Sequence, residues 1–223
     1  MNRIVIAIDG PAGAGKSTVA KRVARELGLR FLDTGAMYRC LALFAQRNGL
    51  TADDGVEVAK MAKDCNIEFG DGDPQSVFLD GEDVTALIRT PEMGEFASAL
   101  SVHSDVRKLL ATQQRAIVER GGVTLEGRDT TTVTAPDAQV RVFLTASVQE
   151  RARRRHAEFE DKGIERSLQE IQDQIEARDH RDSNRADSPL TVAPGVLVID
   201  SNELTIDEVV DEVKRVAELA SIE

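Results

Sequence analysis

A chain of 223 residues with 41% hydrophobic content can build one solid core, or a core carrying a small insert. Its net charge of −11 repels nucleic-acid backbones and anionic membranes, so neither is an expected partner. Any phosphate ligand must be caught by local groups, and 21 of the 28 basic residues are Arg, whose planar fork grips phosphate or carboxylate with two bonds.

No run approaches the ~20 apolar residues that span a bilayer, and Ile4–Ile8 is too short for a signal peptide before Asp9 ends it. Cys40 and Cys65 lack metal-ligand spacing and suit a reduced, cytoplasmic protein.

Taken in order, Ile4–Ile8 is a β-branched apolar run of the kind found in a strand buried on both faces. A glycine-rich turn follows, then a helix over Ser17–Leu27 with Val19, Val23, Ala24 and Leu27 on one face and Gly28 as its stop. Arg30–Leu32 reads as a second strand, Ala36–Arg47 as a second helix ended by Asn48-Gly49, and Asp53–Lys63 as a third. The texture then changes. Asn66–Gly70 and Ser76–Val84 predict short antiparallel strands with Asp80-Gly81 as a hairpin turn, followed by helices over Pro91–Val102 and Asp105–Arg120. Strands resume at Val123–Glu126, Val140–Leu144 and Val196–Ile199. Between the last two runs a charged helical region over Ser147–Asp187, broken near Lys162-Gly163. A helix over Thr205–Ala220, with Ile206, Val209, Val210, Val213 and Val216 on one side, closes the chain.

Buried strands alternating with helices predict an α/β fold: a doubly wound parallel sheet of five strands with helices on both faces. Residues 65–120 read as a mixed α/β insert, 1–64 and 121–223 as the core, and about 151–187 as a helical lid.

The turn itself, Gly10, Pro11, Ala12, Gly13, Ala14, Gly15, Lys16, Ser17 and Thr18, fits the P-loop template in its strand–turn–helix context. Its backbone N–H groups cradle phosphates, Lys16 neutralises them, the Ser17 hydroxyl ligates Mg²⁺, and the helix adds its positive end. A GTP switch needs Asp-x-x-Gly, and that spacing is absent. A motor ATPase places an acid at the end of an apolar strand to hold Mg²⁺ and activate water, a reading that Glu126 leaves open, although Gly127-Arg128-Asp129 suits grasping a second anion better.

Transfer of a phosphoryl group to an anionic acceptor requires cations between donor and acceptor. Three stretches offer them. Asp33–Arg39 leaves a strand and enters a helix, Glu126–Asp129 follows a buried strand, and Arg178, Asp182 and Arg185 share a helical face. Arg151, Arg153, Arg154 and Arg155 open the same charged region. Singly, each stretch also reads as a cap, a surface ion pair or a solvated helix. His103, His156 and His180 read as surface residues, and Phe31, Phe44 and Phe143 as core.

The blocks "IAIDGPAGAGKST", "FLDTGAMYR", "LDGEDVTALIRTPE", "EGRD", "APDAQVRVFLTAS", "ERARRR", "ARDHRDSNRADSPL" and "VIDS" resemble the bacterial cytidylate kinases, P-loop nucleoside monophosphate kinases, in order and spacing. The resemblance covers nearly the whole chain. It implies ATP-dependent phosphorylation of CMP and dCMP with Mg²⁺, in a monomer. It further implies that Thr34, Ser98, Arg107 and Asp129 surround cytosine, that Arg39, Arg128 and Arg185 grip the CMP phosphate, and that Asp182 with Arg178 faces the ribose. Arg154 and Arg155 become lid residues near the transferred group, and Lys16, Arg128 and Arg185 join them in the catalytic set. Other readings are a kinase for another nucleoside monophosphate and a non-catalytic nucleotide sensor. One departure stands out. The family usually has Gly two positions after the Asp of "GRD", where this chain has Thr131. A β-branched residue resists positive φ, so the loop after Asp129 is expected to take a different course.

Overall fold

The computed structural model describes residues 3–161 and 163–220. The chain forms two compact units, Met1–Phe31 with Ile117–Glu223, and Leu32–Ala116.

The first unit carries a sheet of order β2-β6-β1-β7-β8. Its strands are β1 (Val5–Asp9), β2 (Arg30–Asp33), β6 (Val123–Gly127), β7 (Val140–Thr145) and β8 (Leu197–Asp200), the unit boundary falling within β2. The central strand β1 runs parallel to β6, Val5 opposite Val123 and Asp9 opposite Gly127, and parallel to β7, Ile6 opposite Val140. In a parallel sheet all strands end on one edge, so Asp9, Gly127 and Thr145 arrive together at the rim where the following loops begin. Every residue of β1 is buried. Ile6, Ile8, Val142 and Leu144 pack with Val19, Ala20 and Val23 of α1 (Lys16–Leu27) and with Val209, Val210 and Val213 of α8 (Ile206–Ala220). Ile206 was expected on that face but is 46% exposed, because the packed part of α8 begins one turn later, at Val209.

Local chemistry sets the helix ends. Gly28 takes φ 65° and closes α1 through bonds to Ala24 and Arg25 carbonyls, the left-handed stop that glycine adopts cheaply. Ser167 and Glu170 form a reciprocal capping box on α7 (Leu168–Asn184). α6 (Val148–Asp161) and α7 pack as a helical hairpin around Ala152, Phe159, Ile171 and Ile175. The break expected near Lys162-Gly163 is there: Gly163 turns at φ 67°, and Lys162 lies outside the described residues. The charged helix ends at Asn184 rather than Asp187, with Arg185 as an extended C-cap residue.

The second unit takes in most of the expected 65–120 insert together with α2 (Thr34–Arg47) and α3 (Gly55–Met61), because α2 packs on α4 (Pro91–Leu100). Its core joins Ala36, Cys40 and Leu43 of α2 with Val77, Leu79, Val84, Ile88 and Met93. A small sheet, β3 (Ile67–Phe69), β4 (Val77–Leu79) and β5 (Glu82–Asp83), turns at Asp80-Gly81, both at positive φ as a type I′ hairpin requires. The third helix is shorter than expected. It starts at Gly55 because Asp54 is occupied by the Thr51 N–H and hydroxyl, and a 3-10 turn, Ala62–Asp64, replaces its last turn. His103 is not a plain surface residue: it is half-buried, its Nε2 lies 2.7 Å from the Ala52 carbonyl, and its ring packs where a Gly55 side chain would stand. The last helix here is α5 (Ser104–Val118). Phe31 and Phe44 are partly buried in the two cores and Phe143 is buried.

Candidate active site

In the first unit the glycine loop joins β1 to α1. Gly10 sits at φ 151°, and a Cβ there would lie 2.0 Å from the Leu144 carbonyl oxygen of β7, so no side chain fits. Gly13, at φ 77°, lies against Arg151, whose Cβ would be 3.2 Å from an added Cβ. Lys16 is buried and its Nζ donates to the Pro11 carbonyl at 2.8 Å. Burial, then the charge of Arg128 and that of Arg178, draws its ammonium down to about 7, against the opposing pull of Glu126 and Asp9. Thus the cations expected around a second anion stand electrostatically close to the donor cradle. Ser17 Oγ donates to Glu126 Oε1 at 2.7 Å, which brings the Glu126 carboxylate to the hydroxyl assigned to Mg²⁺.

Arg128 and Asp182, 54 residues apart in sequence, meet through Arg128 Nε and Asp182 Oδ2 at 2.9 Å. Asp182 Oδ1 accepts from Arg185 Nη1 at 3.4 Å, and Arg185 Nε donates to the Ser188 carbonyl at 2.7 Å. Burial pushes the Asp182 carboxyl up, but Arg128, Arg178 and Arg185 together outweigh it and hold it below 3.8. Asp182 is buried and Arg178 half-buried on α7, whereas Arg185, expected on the same helical face, lies just past the helix end and reaches the carboxylate from there. Asp129 is buried at the start of a π-helical turn, Thr130–Thr134.

The two lid arginines are engaged elsewhere. Arg154 is bonded to Glu150 Oε1 at 2.8 Å and to the Ser201 carbonyl at 2.6 Å, while the Arg155 guanidinium lies 5.2 Å from the Phe159 ring centroid. It is Arg151, one turn earlier on α6, that backs the glycine loop. Its Nη1 donates to the Ala12 carbonyl at 3.0 Å and to Asp179 Oδ2 at 2.6 Å. Asp179 Oδ1 in turn lies 3.4 Å from the Ala12 amide. Neither Arg151 nor Asp179 was assigned a site role from sequence. The signal is the arginine that opens "RARRR" and the first Asp of "RDHRD", brought together only by the α6–α7 hairpin.

In the second unit Thr34 is buried at the start of α2, whose cap, Asp33, accepts the Ala36 N–H at 2.8 Å. Arg39 Nη1 lies 4.0 Å from Asp33 Oδ2. Ser98 and Arg107 are both buried, linked through Ser101: Ser101 Oγ donates to the Ser98 carbonyl at 2.8 Å, and Arg107 Nη1 donates to the Ser101 carbonyl at 3.2 Å. The Arg107 guanidinium lies 5.7 Å from the Tyr38 ring centroid, a cation–π contact. Tyr38 sits inside the quoted "DTGAMYR" block, yet nothing in its spacing marked it.

Three comparisons with known proteins bear on the family of this chain. A model of the cytidylate kinase family matches residues 6–219. The chain is 45% identical over 221 residues to a cytidylate kinase of Pediococcus pentosaceus, covering 99% of this chain and 98% of that protein. It is 49% identical over 208 residues to a cytidylate kinase of Desulforamulus reducens, covering 93% and 94%. Among solved structures it is similar in fold to a gluconokinase from Sinorhizobium meliloti, with TM-score 0.53 and 16% identity over 98% of this chain and 94% of that one. The P-loop alone would have left many kinases open. The match along almost the whole length, through the arginine-bearing segments as well as the glycine loop, shows that this chain belongs to the cytidylate kinase family.

Proposed function

We propose that the chain transfers the γ-phosphoryl group of ATP to CMP and dCMP, producing the nucleoside diphosphates. The observation that carries this reading is the convergence of Arg128, from the end of β6, and Arg185, from beyond α7, on the one buried carboxylate of Asp182, in a chain whose net charge is −11. Cations so concentrated suit two phosphorylated ligands better than one. An oxygen of the acceptor phosphate attacks the γ-phosphorus in line. The new P–O bond forms as the bond to the bridging oxygen breaks, and ADP keeps that electron pair.

The protein's part is positioning and charge. Loop residues 10–18 hold the phosphates of ATP through their amides, and Lys16 neutralises them. Arg128, Arg39 and Arg185 take the acceptor phosphate, Asp182 and Arg178 the ribose. Thr34, Ser98, Arg107 and Asp129 read cytosine, whose amino group is a donor suited to Asp129 and whose ring acceptors suit Arg107. Uracil presents an acceptor where cytosine has its amino group, which makes UMP the poorer substrate. A phosphate acceptor is already ionised and needs no general base, and Asp33 is occupied in capping α2. Arg154 and Arg155 remain lid residues in this reading, leaving Glu150, Ser201 and Phe159 to reach the transferred group.

The residues fit Mg²⁺ carried by the nucleotide. Ser17 and Glu126 present hard oxygen donors 2.7 Å apart, while the described residues contain no group of three His, Cys, Asp or Glu able to hold an ion alone. Mg²⁺ bound there would neutralise charge on the β and γ phosphates. We place the enzyme in the cytoplasm as a monomer; both cysteines are free, and no described helix is long and apolar enough to cross a membrane.

A coupled assay offering CMP, dCMP, UMP, AMP and shikimate with ATP tests the proposal. CMP and dCMP far ahead is the expected result. Equal rates on AMP would defeat the base assignment, and no turnover with any acceptor would leave a nucleotide sensor.

A further inference from the structure

The buried carboxylate of Asp9 has no place in the mechanism above, yet it is among the most completely bonded groups in the chain. It ends β1 and directly precedes Gly10. Its Oδ1 accepts from the Thr130 N–H and hydroxyl, both at 2.8 Å. Its Oδ2 accepts from the Thr131 N–H at 2.7 Å and hydroxyl at 2.6 Å. A carboxylate has about four lone-pair sites, and these four donors fill them. That saturation removes Asp9 as a metal ligand or a proton acceptor and leaves it one task, holding the turn.

The turn it holds starts at Asp129. The Asp129 carbonyl accepts Val133 N–H at 2.8 Å, and the Thr130 carbonyl accepts Ala135 N–H at 2.7 Å. Asp129 and Arg128 therefore lie between two fixed points: the parallel register of β6, where Gly127 faces Asp9, and the four-bond clamp on Thr130 and Thr131. The same Asp9 anchors the glycine loop through the peptide bond to Gly10. Thr131 is not among the described residues at positive φ, so the turn has no need of glycine here. Its hydroxyl supplies a charge-assisted bond that glycine cannot make.

We infer that Asp9, through the Thr130 and Thr131 hydroxyls, is a positioning residue that locks the acceptor-reading segment Arg128-Asp129 to the strand that presents the phosphate loop. The inference rests on the CMP kinase reading, because its consequence is measured on the acceptor. Thr131→Val keeps the β-branched shape and the peptide N–H but deletes the shortest bond. It should raise KM for CMP about tenfold or more, narrow the preference for CMP over UMP severalfold, and leave ATP affinity within twofold. Thr131→Ser, which restores the hydroxyl, should return all three to within twofold of the parent. Thr130→Val provides a second route if Thr131→Val does not fold, with the same direction of change. A parent inactive on CMP would overturn the functional reading itself. An active parent, with valine variants that melt earlier but keep KM for CMP and the CMP-to-UMP ratio within twofold, would overturn this inference alone and leave Asp9 a structural residue.

Discussion

Lys16 offers the sharpest test of the electrostatics of the phosphate loop. Without nucleotide its ammonium titrates at about 7, drawn down by burial and by the neighbouring Arg128 and Arg178. Polyphosphate placed against it favours the charged form and lifts its pKa well above neutrality. At pH 8 a group titrating near 7 is about nine-tenths neutral, so ATP binding should take up between about half a proton and one. The γ-phosphate has lost its last proton by that pH and adds little of its own. Linkage then gives the sign: above pH 8 the Kd for ATP should rise by up to about tenfold per pH unit. Calorimetric titration of ATP at pH 8, in two buffers of different ionisation enthalpy, measures the uptake directly. Arg128→Ala removes the neighbouring charge that acts most strongly on Lys16 and should shrink that uptake. An uptake below about 0.2 proton in the parent would mean that Lys16 is already charged in the empty loop, and the argument from crowded cations would fail with it.

Other expectations are as direct. Arg128→Ala should cost roughly 2–3 kcal/mol in transition-state stabilisation, a loss of about 30- to 150-fold in kcat/KM for CMP; activity within threefold would remove Arg128 from the acceptor phosphate. Asp182→Asn leaves two guanidinium partners, the half-buried Arg128 and the buried Arg185, without their carboxylate. It should destabilise the chain by about 3 kcal/mol, or about 6–12 °C in Tm. Because folding holds the Asp182 carboxyl below 3.8, its contribution is present above that value and is lost as pH falls through the lower, folded value. Acid titration should therefore bring parent and variant together below pH 3.8, and a constant gap would contradict the assignment. Arg151→Ala deletes the bonds to Ala12 and Asp179 and should raise KM for ATP about tenfold, with Arg151→Lys a poor rescue because a single ammonium cannot reproduce the fork. An ATP titration at saturating CMP decides it, and a change under twofold would refute the backing role.

Much of the sheet was legible because its central strands are mostly buried, which writes β1 as a continuous apolar run and leaves β6 and β7 rich in β-branched and apolar residues, interrupted by Thr124 and Glu126 in one and Arg141 in the other. The glycine loop was legible because strand, turn and helix are contiguous. That Arg178 and Asp182 share a face was readable too, since it follows from one helix; that the face turns inward rather than to solvent was not. What escaped depends on partners far apart in the chain. The π-helical turn at Thr130–Thr134 is held by a carboxylate 121 and 122 residues away, and no local pattern announces it. Arg151 and Asp179 meet only across the α6–α7 hairpin, 28 residues apart. Arg154 looked equivalent to its neighbours in a basic run, but on the helix it lies nearly a full turn, about 4.5 Å, beyond Arg151: Arg151 reached the loop and Arg154 reached Ser201. His103 shows the same limit at smaller scale, since a lone histidine in sequence gives no hint that Gly55 leaves room for its ring.

The start of α1 has an equilibrium consequence. Gly15 occupies the N-cap position, no side chain caps the helix, and its first turn contains no acidic residue. The exposed amide dipoles at that end are completed by whatever anion settles there. A bound triphosphate thus acts as a prosthetic cap, and the melting temperature becomes a reporter of nucleotide concentration. Each tenfold rise in free ATP above Kd should add about 1.4 kcal/mol to the folded state, and a loop mutation that weakened binding would move the start of that rise to higher ATP without changing its steepness.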